Sequence, residues 1–267
     1  MAVDFAKSKQ EILNHLVRDP DMHRQLADDL RRSFDQSFNQ SHDFLQLVQL
    51  VKGHAEALLH EKRPDLDTEL AAETYPIEGA IYFSTQLMAL KLNSLLYLQE
   101  INMAIGSEQT FRIHSFILKY VRVYNWQAKQ KNLALSVTGQ AFSTVRLNSQ
   151  AFGAIVQGIL DNLVKYAPAG SAADVHFEEA DESVTVRFSS LGPRIEEPER
   201  HRIFLPGVRA KAAMSAETSG QGIGLAAAKN VADALNLSLS VEQDSTENDK
   251  YARRYRTSFE LVVPRTS

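Results

Sequence analysis

Residues 219–235 read SGQGIGLAAAKNVADAL. Gly220, Gly222 and Gly224 alternate with other residues and lead into an alanine-rich segment of helical spacing. Glycine lets backbone N–H groups come close to a phosphate, and a helix beginning there adds the positive end of its dipole. Alone, such a loop reads equally well as a flexible turn before a helix. Its weight comes from its neighbours. GILDNLVKYAPAG at 158–170 is a helical run ending in a basic and an aromatic residue, and IFLPGVRAK at 203–211 lies between the two.

Segments of period two surround these strings: 133–137, 173–177, 184–188, 237–241 and 259–263. Alternation of that kind predicts half-buried strands. Helical spacing occupies 110–130, 148–166 and 221–235. The mixture predicts an α+β sandwich over the C-terminal half.

The first 105 residues read as helix almost throughout. Asp19-Pro20 has the form of an N-cap followed by a first-turn proline. From there a helix can run to about Glu61, where Arg63-Pro64-Asp65 breaks it. A short helical stretch leads to Pro76, and a second long helix from about Ile77 to Ile105 carries Leu87, Leu90, Leu92, Leu95, Leu96 and Leu98. Two amphipathic helices this apolar predict a hairpin that pairs with a second copy as a four-helix bundle.

On the first helix, Gln46, Gln49 and Gly53 fall within roughly 40° of His42 at about 100° per residue. Phe44, Leu47, Val48, Val51, Ala55, Leu58 and Leu59 take the opposite arc. His42 therefore lies on a polar stripe, as a nucleophile reached by an outside donor must. A neutral imidazole is available at neutral pH, and Asp43 can orient the ring or take its proton. Most surface histidines do no chemistry, and His54 and His60 compete for the role.

Composition narrows the classes. Net charge is −4, which gives no footing for nucleic acid. There are no cysteines, which excludes disulfides and thiolate chemistry and fits a reducing compartment. No apolar run reaches the roughly 20 residues of a membrane span. The expectation is a cytoplasmic protein.

With those residues in view, SHDFLQLVQLVKGHAEALL (41–59) resembles the H box of two-component histidine kinases. His42, Asp43, Gly53, Ala55 and Glu56 match, whereas Leu45 and Gln46 stand where that subgroup usually has asparagines. The strings at 158–170, 203–211 and 219–235 resemble the N, F and second glycine boxes of the GHKL superfamily, over about residues 110–264. The resemblance implies a helical N-terminal segment (1–34), a dimerisation and histidine phosphotransfer domain (35–106) and a Bergerat-type ATP-binding domain (110–267). It implies ATP and Mg²⁺ as ligands, with Asn162 on the metal, Lys165 on phosphate and Tyr166 beside adenine. Gly220, Gly222, Gly224 and Leu225 make the phosphate loop. Gln46 stands where the family positions water for dephosphorylation.

Two boxes depart from the pattern. Gly158 replaces the first N-box asparagine. In Phe188-Ser-Ser-Leu-Gly-Pro-Arg-Ile195, Gly192 aligns with the first glycine box, Ser190 replaces its adenine-contacting aspartate, and Arg194 replaces its second glycine. Arg194 can then crowd the site or bind phosphate. The implied function is an ATP-dependent protein-histidine kinase, possessing regulator phosphatase activity as an option, that passes its phosphoryl group to a response regulator receiver domain. Residues 1–34 are too short for a sensor, so a separate sensor protein or a longer chain supplies the signal. An ATP-independent histidine phosphotransferase and a pseudokinase scaffold are the competing readings.

Overall fold

The computed structural model describes residues 44–99, 108–216 and 222–266. The Asp19-Pro20 helix start, His42, Asp43, Gly220 and residues 100–107 lie outside them. Helix α1 covers residues 44–62 of the described chain and stops at the Arg63-Pro64-Asp65 break. The Asp67 carboxylate then caps α2 (Thr68–Thr74) by accepting from the N–H groups of Glu69 and Leu70, each at 3.0 Å. Pro76 opens α3 (Pro76–Gln99). Ala55, Leu59, Ala71, Ala72, Tyr82 and Phe83 bury one another in a small core, with Trp126 packed against it.

The apolar arc of α1 divides. Val48, Ala55 and Leu59 are buried, but Phe44, Leu47, Val51 and Leu58 are about half exposed. On the opposite stripe Gln49 is exposed, and nothing stands within 4 Å of where a Gly53 side chain would begin. Ile77, Ile81 and Met88 of α3 are exposed as well.

The rest is a sheet with helices on one face. Strands β2 (Ala134–Gly139), β4 (Ala172–Glu179), β5 (Ser183–Gly192), β7 (Tyr255–Pro264) and β6 (Ser238–Glu247) lie in the order β2-β4-β5-β7-β6. Among the described residues only β2–β4 is a parallel pair. Helices α4 (Ile113–Gln130), α5 (Ser149–Tyr166) and α7 (Gly224–Ala234) supply the covering layer. Their buried faces join Val175, Phe177, Val186, Phe188, Phe259 and Leu261 in one large core. The other face of the sheet is polar, as the Arg187–Glu260 ion pair at 3.0 Å illustrates. Asn148 caps α5 through its side-chain oxygen, which accepts from Gln150 and Ala151 N–H at 3.0 Å.

Several boundaries differ from the sequence reading. Residues 110–112 belong to strand β1 (Gln109–Arg112), not to a helix, and pair antiparallel with β3 (Thr144–Leu147), a strand the periodicity did not show. Four residues are too few to display alternation. Helix α7 starts at Gly224 rather than 221. Strands β5, β6 and β7 extend beyond the expected spans, β6 through an irregularity between Gln243 and Glu247.

Helix α3 also touches the sandwich. Leu87 packs against its core, and Phe83 stacks on Trp126 of α4 with ring centroids 6.2 Å apart. Arg122–Glu69 (2.7 Å), Lys129–Glu73 (3.1 Å) and Lys91–Asp161 (2.8 Å) link the two sets of helices. Trp126 thus serves the packing between α3 and α4.

Candidate functional site

Helix α5 sets one wall of a cavity of about 390 Å³. Gly158, Asp161, Asn162, Lys165 and Tyr166 all line it. Their spacing of three and four residues places them on one helical face, so the geometry follows directly from the period. Ser190 and Gly192, at the end of β5, and Thr257 and Phe259, on β7, form the floor. Val208, Arg209, Ala210 and Ala213 come from the turn after Phe204 and from α6 (Lys211–Ala216). Gly222, Ile223, Gly224 and Leu225 close the ring at the start of α7.

The cavity therefore gathers Asn162, Lys165, Tyr166, Ser190, Gly192, Gly222, Gly224 and Leu225 from positions up to 63 residues apart (162 to 225). Two glycines explain how the walls approach. Gly222 has φ +70°, and a Cβ there would lie 2.8 Å from the Val208 carbonyl oxygen. The Gly207 N–H donates to the Gly222 carbonyl at 3.1 Å, tying the turn to the glycine loop. At Gly158 a Cβ would stand 2.7 Å from the Gly224 carbonyl oxygen and 3.1 Å from the Ala228 Cβ. The absence of an asparagine at 158 thus has a packing cause: α7 begins against that face of α5, where no side chain fits.

The charges are arranged unevenly. Lys165 and Arg209 bring cations to the wall, and the Arg209 guanidinium donates to the Tyr166 hydroxyl at 3.1 and 3.2 Å and to the Ala213 carbonyl at 3.0 Å. Asp161 accepts from the Tyr124 hydroxyl at 3.2 Å besides pairing with Lys91. Burial, and next the Asp161 charge, push Tyr124 well above its ordinary value of 10, so it stays a donor. The floor is neutral: Ser190 and Thr257 are direct cross-strand partners, and both are buried.

Arg194 does neither thing the sequence left open. Its guanidinium lies 4.9 Å from the Tyr255 ring centroid and donates to the Ser245 carbonyl at 3.4 Å, and it is not part of the cavity wall. Asp161, Arg209, Thr257 and Phe259 were not singled out from the sequence. Asp161 could have been found from the α5 period, and Thr257 as the one polar residue among the inward positions of β7, followed by Phe259, Leu261 and Val263.

Among the described residues no group of His, Asp and Glu side chains could by itself hold a metal, and no helix is long and apolar enough to cross a membrane. Residues 148–267 match the family of histidine kinase-, DNA gyrase B- and HSP90-like ATPases. The swarming motility regulation sensor protein RssA of Serratia marcescens is 30% identical over 137 residues, 49% of this chain. The matched region spans 28% of the length of RssA. A mycobacterial sensor histidine kinase, MprB, superposes with a TM-score of 0.52 at 23% identity, covering 59% of this chain and 98% of that one. Full-length ShkA, solved in complex with AMPPNP, gives 0.53 at 20% identity over 87% of this chain and 46% of its own. Box order, sandwich topology and these likenesses make residues 148–267 similar to the GHKL-type ATPase domain of sensor histidine kinases.

Proposed function

We propose that the chain binds Mg-ATP in this cavity, phosphorylates itself on His42 and passes the phosphoryl group to an aspartate of a response regulator receiver domain. The observation that carries the reading is the convergence of Asn162, Lys165, Tyr166 and the glycine loop on one 390 Å³ cavity. That volume is in the range of small-molecule sites, about 300–1,000 Å³. The donor set fits the ligands. Lys165, Arg209 and the start of α7 suit phosphates, and the neutral floor suits a base. The Asn162 amide oxygen, with the Asp161 carboxylate beside it in sequence and on the same wall, offers the hard oxygen ligands Mg²⁺ prefers. When bound, the metal neutralises charge on the phosphates.

His42 forms the new P–N bond as the bond from the γ-phosphorus to its bridging oxygen breaks and ADP leaves. The ring proton goes to Asp43. Gln46, one turn on, orients water for the reverse duty of dephosphorylation. Residues 35–106 form the dimerisation and phosphotransfer domain and 110–267 form the ATP-binding domain, whereas the segment at 1–34 lies outside the described residues. A homodimer covers the half-exposed Phe44, Leu47, Val51 and Leu58, together with Ile77 and Ile81. Of the two features that favour an ATP-independent phosphotransferase, Gly158 has the packing cause given above, which leaves Ser190 alone. Calorimetric titration with Mg-ATP tests the reading. Binding that weakens at least tenfold in Asn162→Ala supports it, and no heat at millimolar Mg-ATP contradicts it.

A further inference from the structure

The segment that replaces the first glycine box, Gly192-Pro193-Arg194-Ile195, is held by one side chain from the neighbouring β6. Gln243 is buried, with a relative exposure of 8%. Its Oε1 accepts from the Ile195 N–H at 2.8 Å, and its Nε2 donates to the Pro193 carbonyl at 2.8 Å. A backbone N–H can only donate and a carbonyl can only accept, so these two bonds fix which way the amide faces. The second Nε2 hydrogen goes to the Thr257 hydroxyl oxygen, also at 2.8 Å. The Thr257 hydroxyl must then spend its own hydrogen elsewhere, and it does so on the Tyr255 carbonyl at 3.2 Å. One lone pair is left on Thr257, at the floor of the cavity.

We infer that Gln243 is the positioning residue of the base end of this site. It holds Pro193–Ile195 against β6 and locks the Thr257 hydroxyl as an acceptor, so the floor selects a purine with an amino group at C6 over one with a carbonyl there. The inference rests on the nucleotide reading of the cavity. It follows from polarity alone. Phosphates go to Lys165, Arg209 and the glycine loop, which leaves the neutral floor to the base. A ring amino group can donate to Thr257, whereas a ring carbonyl would set lone pair against lone pair. Ser190, the cross-strand partner of Thr257, rotates freely between donor and acceptor roles and cannot supply the bias by itself.

The test titrates the full chain with Mg-ATP and Mg-GTP, and does the same for Gln243→Leu and Thr257→Val. One mismatched hydrogen bond corresponds to about a tenfold preference. The wild type is expected to prefer ATP by about that factor. In both variants the ATP-to-GTP ratio falls towards one, and Gln243→Leu also weakens ATP itself as Pro193–Ile195 is released. A merely structural glutamine would change affinity without changing the ratio. Thr257→Val keeps the shape of the side chain and decides the matter where Gln243→Leu does not fold. ATP binding with an unchanged ratio in the variants overturns this inference and leaves the nucleotide reading standing. Failure of the wild type to bind either nucleotide overturns both.

Discussion

Gly158→Asn restores the asparagine that the family pattern carries, and the structure expects it to do harm. A Cβ at 158 would stand 2.7 Å from the Gly224 carbonyl oxygen, a backbone atom that cannot rotate aside, and 3.1 Å from Ala228. Replacing glycine by alanine inside a helix gains about 1 kcal/mol from propensity, and asparagine gains less. Overpacking a close-packed interior costs about 1–3 kcal/mol. With backbone as the obstacle the cost falls in the upper part of that range, so the net loss is about 1–2 kcal/mol for alanine and more for asparagine. For a chain of this size that lowers Tm by about 2–8 °C. Gly224 opens the helix whose start lines the cavity, so Mg-ATP affinity falls together with stability. Differential scanning calorimetry with and without nucleotide measures both quantities. A Gly158→Asn protein with unchanged or higher Tm and tighter ATP binding would refute the packing account and restore Gly158 as a sign of lost nucleotide chemistry.

Ser190→Asp returns the charged acceptor to the floor and is expected to tighten Mg-ATP about ten- to hundredfold, read by calorimetry. Light scattering at micromolar concentration should give a dimer that Phe44→Asp with Leu58→Asp dissociates; a wild-type monomer would contradict the exposed apolar arc as an interface. The Lys91–Asp161 pair is largely exposed, with side-chain exposures of 43% and 40%. Lys91→Met should therefore shift the urea unfolding free energy by no more than about 1 kcal/mol. The Ser143 hydroxyl, then the Phe142 N–H at 2.6 Å, and finally Arg265 hold the Glu179 carboxyl below its ordinary value of 4.5. Its stabilisation is accordingly full above pH 4.5 and lost as pH falls through the lower folded value. Glu179→Gln should flatten that acid limb in urea midpoints measured across the window, and an unchanged limb would remove the assignment.

Much of this site was legible because helix α5 is a long periodic element. The run 158–166 has one face, and that face is the cavity wall. Gly222 and Gly224 were legible as residues that let backbone segments approach closely, and both line the cavity. What escaped depends on contacts between strands distant in sequence. Gln243 reads as one polar residue among several in β6, and nothing local shows that it meets Pro193, Ile195 and Thr257. Arg194 looked like a cation at the site because it aligned with a glycine, but Tyr255, its near neighbour across β5 and β7, draws it off the cavity wall. Strand β1 was read as helix because four residues carry too little pattern to separate the two periods. The Gly158 exchange was visible at once, yet its cause lay in α7, 66 residues further on (158 to 224).

The central claim is phosphoryl transfer from ATP to His42, and labelling tests it most directly. The purified chain is incubated with Mg²⁺ and γ-labelled ATP and then exposed to acid or base. The account expects an acid-labile, base-stable label of a phosphoramidate that disappears in His42→Gln while the fold and dimer persist, because the helical spacing of the sequence sets residue 42 apart from the apolar arc. Absence of label at saturating Mg-ATP, full label in His42→Gln, or label lost only when His54 or His60 is changed would contradict it.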